Sequence, residues 1–258
     1  MNDQARSPLL VFGDDGAEAS DRAWRWITAH DWPGWTVEVL SADESNIDWG
    51  KAVRFETWEP PWTREPDVRG AKAVTFLAAS TDPRAMLADV PADLVVLGIK
   101  EAGQLAAVMT GSTTEWLLHH PPSPIVIVRR PAPVTNVMVC TDGSVHAERA
   151  ITVLASLPLA GRCAVTVVSI NDGRADPNAA SRALDLLEPH VASVATTPAK
   201  GMPTEVILRL VDETAADLVV LGTRGLTGWK RLRLGSTASA IVRSVACDCL
   251  VACSDDED

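Results

Sequence analysis

No apolar run in this sequence approaches the roughly 18 residues that a membrane-crossing helix needs. The opening stretch, Met1 to Pro8, lacks the apolar core of a secretory signal. The expectation is a cytoplasmic protein that meets no membrane. Basic residues are in the minority: Lys and Arg number 23 against 34 Asp and Glu, a net charge of −11. Phosphate backbones attract basic surfaces, so the balance argues against nucleic acid as a partner. It leaves room for a local anion pocket built from backbone N–H groups, which needs no cationic side chain. No CxxC pair occurs among the five cysteines, Cys140, Cys163, Cys247, Cys249 and Cys253. Cys247 and Cys249 lie in or beside a short apolar run, so small buried thiols in a strand are expected ahead of a metal or redox pair. The histidines His30, His119, His120, His146 and His190 show no metal-ligand spacing such as H-x3-H. His119-His120, before two prolines, reads as the end of a helix. His146 reads as solvated helix surface, with approach to a bound anion as the alternative. Also missing are the phosphate loop G-x4-G-K-[ST], a G-x-G-x-x-G after a strand, and the nucleophile elbow G-x-S-x-G.

What is present is a repeat. The chain has 258 residues, 47% of them apolar and 22% charged, an ordinary soluble composition that suits one large or two small domains. Asp93-Leu-Val-Val-Leu-Gly98 recurs letter for letter as Asp217-Leu-Val-Val-Leu-Gly222, and at the same offset Gly111-Ser-Thr113 recurs as Gly235-Ser-Thr237. Near the front of each half an apolar strand runs into Asp-Gly, at Asp15-Gly16 and Asp142-Gly143. A period this long marks a duplicated domain, not a solenoid. The proline-containing stretch 129–136 is the boundary, giving domains 1–130 and 136–258.

In the second half, strands are expected at 137–141, 164–170, near 191–196, 217–221 and 249–252. Helices are expected at 147–157, 178–187, 204–213 and 237–245. The strands are apolar throughout, the mark of parallel strands buried on both faces. Alternation with helices implies two tandem doubly wound α/β domains, each a five-stranded parallel sheet between helices. Ligands in such sheets sit beyond the carboxyl ends of the strands. The first half differs over 45–72, a stretch rich in Trp and Pro. It reads as an irregular excursion whose indoles fill gaps, or alternatively as a partner surface. The edge segments 125–128 and 250–252 are the expected contact between the copies, because strand edges are pairing templates.

The stretch 221–237 reads G-x2-G-x9-G-S-T through Gly222, Gly225, Gly235, Ser236 and Thr237. Gly222 ends a strand. Gly225 permits positive φ and close approach of a ligand. Ser236 is a candidate cap for a helix whose N-terminus offers free N–H groups to phosphate. Asp142 is placed to accept from ribose hydroxyls. Lys230, Arg231 and Arg233 read as a solvated charged segment, with phosphate screening as the alternative. With this spacing and the Asp142-Gly-Ser144 turn, the chain resembles the universal stress protein family across both halves. The resemblance implies an adenine nucleotide alpha hydrolase-like fold and, from the motif, ATP, with or without Mg2+, held in the second copy. The family's site falls on Thr141, Asp142, Gly222, Gly225, Gly235, Ser236 and Thr237, and the backbone near Val168 is implied to meet adenine.

The first copy departs from the pattern. Glu101 stands where the second has Gly225, Asp14 where it has Thr141, and Ala17 where it has Ser144. Forcing a side chain to positive φ costs about 1–2 kcal/mol, and a carboxylate about 4 Å from a phosphate costs about 4 kcal/mol at an effective dielectric of 20. The expectation is one ATP per chain and a regulatory, non-enzymatic ATP-binding protein of the stress response that works through a protein partner. A slow ATP hydrolase and an ATP-independent scaffold are the alternatives. The two copies are expected to form an intramolecular pseudo-dimer, with a further homodimer left open.

Overall fold

The computed structural model describes residues 6–43, 56–57, 59–99, 112–171, 175–225 and 234–253. In the first half the elements are β1 (Leu9–Gly13), α1 (Glu18–Ala29), β2 (Thr36–Ala42), β3 (Glu56–Thr57), β4 (Ala73–Ser80), α2 (Pro83–Ala88), β5 (Leu94–Gly98), α3 (Ser112–His119) and β6 (Ile125–Val128). The second half continues with β7 (Asn136–Thr141), α4 (Val145–Ser156), β8 (Ala164–Asn171), α5 (Ala179–Leu187), β9 (Ser193–Lys200), α6 (Pro203–Thr214), β10 (Leu218–Gly222), α7 (Ser236–Ser244) and β11 (Asp248–Ala252). Each half places its parallel strands in the same order, β4-β2-β1-β5-β6 and β9-β8-β7-β10-β11. The short β3 adds an antiparallel strip to β4.

The two sheets are not separate. β6 pairs antiparallel with β11, Val126 opposite Leu250, and the result is a single sheet of eleven strands among the described residues. The pairing joins the two apolar edges singled out in the sequence. Fully buried side chains then alternate between two core layers. Leu10, Phe12, Leu218 and Val220 face the layer covered by α1, α4 and α5. Val11, Val95, Val219 and Leu221 face the layer under α2, α3, α6 and α7. Burial on both faces is why these strands carry unbroken apolar runs.

Local chemistry sets the element ends. The repeated aspartates pin neighbouring strands: Asp93 accepts the N–H of Leu9 at 2.7 Å, and Asp217 accepts those of Thr135 and Asn136 at 3.0 and 2.9 Å. Ser144 caps α4, accepting the Ala147 N–H at 3.3 Å, whereas Ala17 at the same place before α1 offers no side-chain cap. The stretch 129–136 is anchored at both ends and in its middle, where the Val134 N–H donates to His30 Nε2 at 3.0 Å. Burial holds the pKa of His30 below its ordinary value.

The tryptophans of α1 and the turn after it, Trp24, Trp26, Trp32 and Trp35, fill the first core layer. Trp62 of the excursion also packs inward, while Trp49 and Trp58 lie outside the described residues. Between β2 and β4 no helix stands among the described residues, where the second half has α5. Among the described residues no helix is long and apolar enough to cross a membrane.

Candidate functional site

A cavity of about 630 Å3 opens at the carboxyl ends of β7, β8 and β10, on the side covered by α6 and α7. All eight residues singled out from the sequence line it: Thr141, Asp142, Val168, Gly222, Gly225, Gly235, Ser236 and Thr237. One wall is apolar, from Val168 and Ile170 of β8 to Met202, Pro203 and Ile207 at the start of α6. The opposite end is polar and is built from two loops.

The first loop is the β7–α4 turn. Gly143 adopts φ +83°, which reverses the chain without strain. Thr141 Oγ1 accepts the Gly143 N–H at 3.2 Å, and Asp142 Oδ1 accepts the Ser144 N–H at 3.0 Å. The Ser144 hydroxyl donates to the Arg224 carbonyl at 3.2 Å and so ties this turn to the second loop, which runs from β10 to α7.

In the second loop the glycines serve different ends. Gly222 is required by packing: a Cβ there would stand 2.6 Å from the Ala147 nitrogen, so β10 can end only against bare α4 backbone. Gly98 has the same role in the first half, where a Cβ would stand 2.0 Å from the Ala19 oxygen. Gly225 corrects an expectation. Its φ is not positive. What a side chain there would meet is the Asp142 carboxylate, whose Oδ2 would lie 2.5 Å from the added Cβ and would have to swing aside. Ser236 is likewise not the cap of α7; Gly235 is, and Ser236 is the first helical residue. The Gly235 N–H is used internally, donating to the Thr223 carbonyl at 2.7 Å. The N–H groups of the first turn beyond it are those a helix leaves for a capping group or an anion.

Three neighbours were not picked out from sequence. Thr223, between the motif glycines, is fully buried on the cavity wall, and its hydroxyl has no hydrogen-bond partner among the described residues. Arg224 brings a largely buried guanidinium to the same wall. Cys140 adds a thiol whose pKa is pushed up by burial. His146 is a correction. It is 9% exposed, not solvated, and stands against Gly222. Burial and then the charge of Arg224 lower its pKa, with Asp142 opposing. Lys230, Arg231 and Arg233 lie outside the described residues.

The matching strand end of the first half carries a buried ion pair. Asp14, 1% exposed, is gripped by Arg64 at 2.8 Å and by the Trp62 indole N–H at 3.0 Å. Arg64 also pairs with Asp21, and these pairings hold its pKa above the ordinary value. Asp15 turns to its own helix, accepting from the Ser20 hydroxyl at 2.5 Å and the Ala17 N–H at 3.0 Å. Where the second half has Cys140, the first has Gly13, and the side chains of Leu97 and Leu87 close over it. Glu101 and Gly111 lie outside the described residues.

The model of the Universal stress protein family matches residues 173–252. A universal stress protein of Synechocystis sp. is 24% identical over 159 residues, 60% of this chain and 55% of that protein, so the match spans about half of its length. A putative universal stress protein of Staphylococcus haemolyticus is 31% identical over 136 residues, 45% of this chain and 82% of that protein. The crystal structure of a universal stress protein from Archaeoglobus fulgidus superposes over 98% of both chains with a TM-score of 0.67 at 18% identity, a likeness of fold. With that coverage of the staphylococcal relative added to the shared fold, this chain belongs to the universal stress protein family.

Proposed function

We propose that the second half binds ATP, one molecule per chain, as a regulatory ligand. The observation that carries this reading is convergence. One cavity collects the eight motif residues, an apolar wall, the first turn of α7 and the hydroxyl of Thr223, unsatisfied among the described residues. A buried hydroxyl without a partner costs free energy, on the order of 1–3 kcal/mol, that a ligand oxygen can recover. Adenine would lie against Val168, Ile170 and Ile207, the ribose at Asp142, and the phosphates over the β10–α7 loop. Mg2+, when present, would enter on the phosphates, with Asp142 the carboxylate at that end of the cavity.

The first half would be structural or partner-binding. At the matching strand end Asp14 is committed to Arg64. Calorimetric titration at saturating ATP tests the reading, with ADP formation followed in the same samples. A stoichiometry near one is expected. A value near two refutes the asymmetry, and no binding leaves an ATP-independent scaffold. Steady ADP formation with a stoichiometry of one would keep the site and make the protein a slow hydrolase.

A further inference from the structure

Arg129 follows β6 in the first half, yet its side chain is buried in the second. Its backbone N–H and that of Arg130 donate to Asp248 Oδ1 at 2.7 and 3.0 Å. Its guanidinium donates to the carbonyls of Cys247, at 3.3 Å, and of Val242. The Val242 carbonyl belongs to the last turn of α7, whose oxygens have no partner within the helix. A cation there also meets the negative end of the helix dipole. At its other end the same helix presents Ser236 and Thr237 to the cavity. A nine-residue helix is about 13 Å long. Hydrogen bonds keep it stiff, so a shift at one end is passed to the other. In the register that matches Asp93 with Asp217, the counterpart of Arg129 is Cys253, which carries no guanidinium.

We propose that Arg129 is a positioning residue for the nucleotide site: by holding the C-terminal end of α7, it sets where the N–H groups of the first turn stand, and the first half thereby tunes ATP affinity in the second. The inference rests on the ATP reading above. Arg129→Met keeps most of the buried volume and removes the donors; Arg129→Lys keeps the charge without the fork. In the full chain, Arg129→Met is expected to raise the ATP Kd by at least about fivefold, the low end of ordinary coupling between sites. Arg129→Lys should restore part of the loss.

Two controls separate positioning from general weakening. Leu187→Ala, in the core layer away from the cavity, should lower the melting temperature and leave Kd unchanged. In a Ser236→Ala background the Arg129→Met effect should shrink, because the two act on one helix. A folded Arg129→Met protein with wild-type Kd overturns the proposal, as does an equal loss in Leu187→Ala. Should Arg129→Met not fold, hydrogen exchange on the wild type decides. Coupling is reciprocal, so ATP must slow exchange of the Arg129 and Arg130 amides, and unchanged rates overturn the proposal. Wild-type protein that binds no ATP overturns the ATP reading itself, and this inference with it.

Discussion

At Gly143 in the second half, the chain reverses under the start of α5, where Asp176, Ala179 and Arg182 close over it. Arg182 pairs there with Asp176 and Glu148 at 2.7 and 2.8 Å. At Gly16 in the first half no helix stands overhead among the described residues, and the Trp62 indole lies over the turn instead. Arg64 takes the role of Arg182, reaching Asp14 and Asp21. The two solutions differ in burial. Arg182 and Asp176 are 40% and 32% exposed, whereas Arg64 and Asp14 are 11% and 1% exposed. On the other side of the sheet the second half lines a cavity with Cys140, where the first has Gly13 with Leu97 and Leu87 beside it. Two halves with one strand order thus differ in what their own side chains do at the matching turn. Retained letters such as Gly98 and Gly222 report the packing common to both.

The comparison breaks most sharply at Gly225. Gly225→Glu copies the first half into the second. Its Cβ would push the Asp142 carboxylate aside, and its charge would face the phosphates. We expect ATP binding to fall by about 4 kcal/mol, roughly a thousandfold, and so to vanish from calorimetry. Binding at wild-type strength in the folded variant would rule out the site.

Arg64→Met should strand the buried Asp14 carboxylate and destabilise the protein by about 3–5 kcal/mol. Arg182→Met, at the exposed counterpart, should cost far less, because solvent screens that pair. Urea denaturation of both variants checks the contrast. Equal losses would show that the excursion does not hold the first half as described.

A smaller effect sharpens the seam between the halves. Burial raises the pKa of Asp248 from 3.8 to about 6 against the lowering by the Arg129 and Arg130 N–H groups. The folded protein therefore holds this proton more tightly than the unfolded chain. The stability it contributes is complete below about pH 4 and lost as pH rises through 6. Asp248→Asn removes that slope. Relative to wild type, the variant should gain up to about 3 kcal/mol between pH 4 and pH 8. Denaturation midpoints at the two pH values measure it, and an unchanged difference would mean that Asp248 titrates alike in both states.

Much of this was legible in the chain. Strands buried on both faces leave unbroken apolar runs, so β7, β8, β10 and β11 were located to within a residue or two. β9 was less visible. Its open edge carries Thr, Pro and Lys, and it runs from Ser193 to Lys200, later than the span near 191–196. All eight motif residues meet in one cavity because strand ends and a helix start, both readable from sequence, are where such sheets bring loops together.

Sequence alone determined the duplication, the parallel strands and the loop that lines the cavity, because these depend on local pattern and spacing. Only the tertiary structure decided that the copies share one sheet, that His146 is buried, and that Gly225 stands against the Asp142 carboxylate. It also revealed the unsatisfied Thr223 hydroxyl and the reach of Arg129 into α7. Each of these depends on which surfaces meet across distant segments, and a side chain's partner across such a contact leaves no period in the chain that carries it.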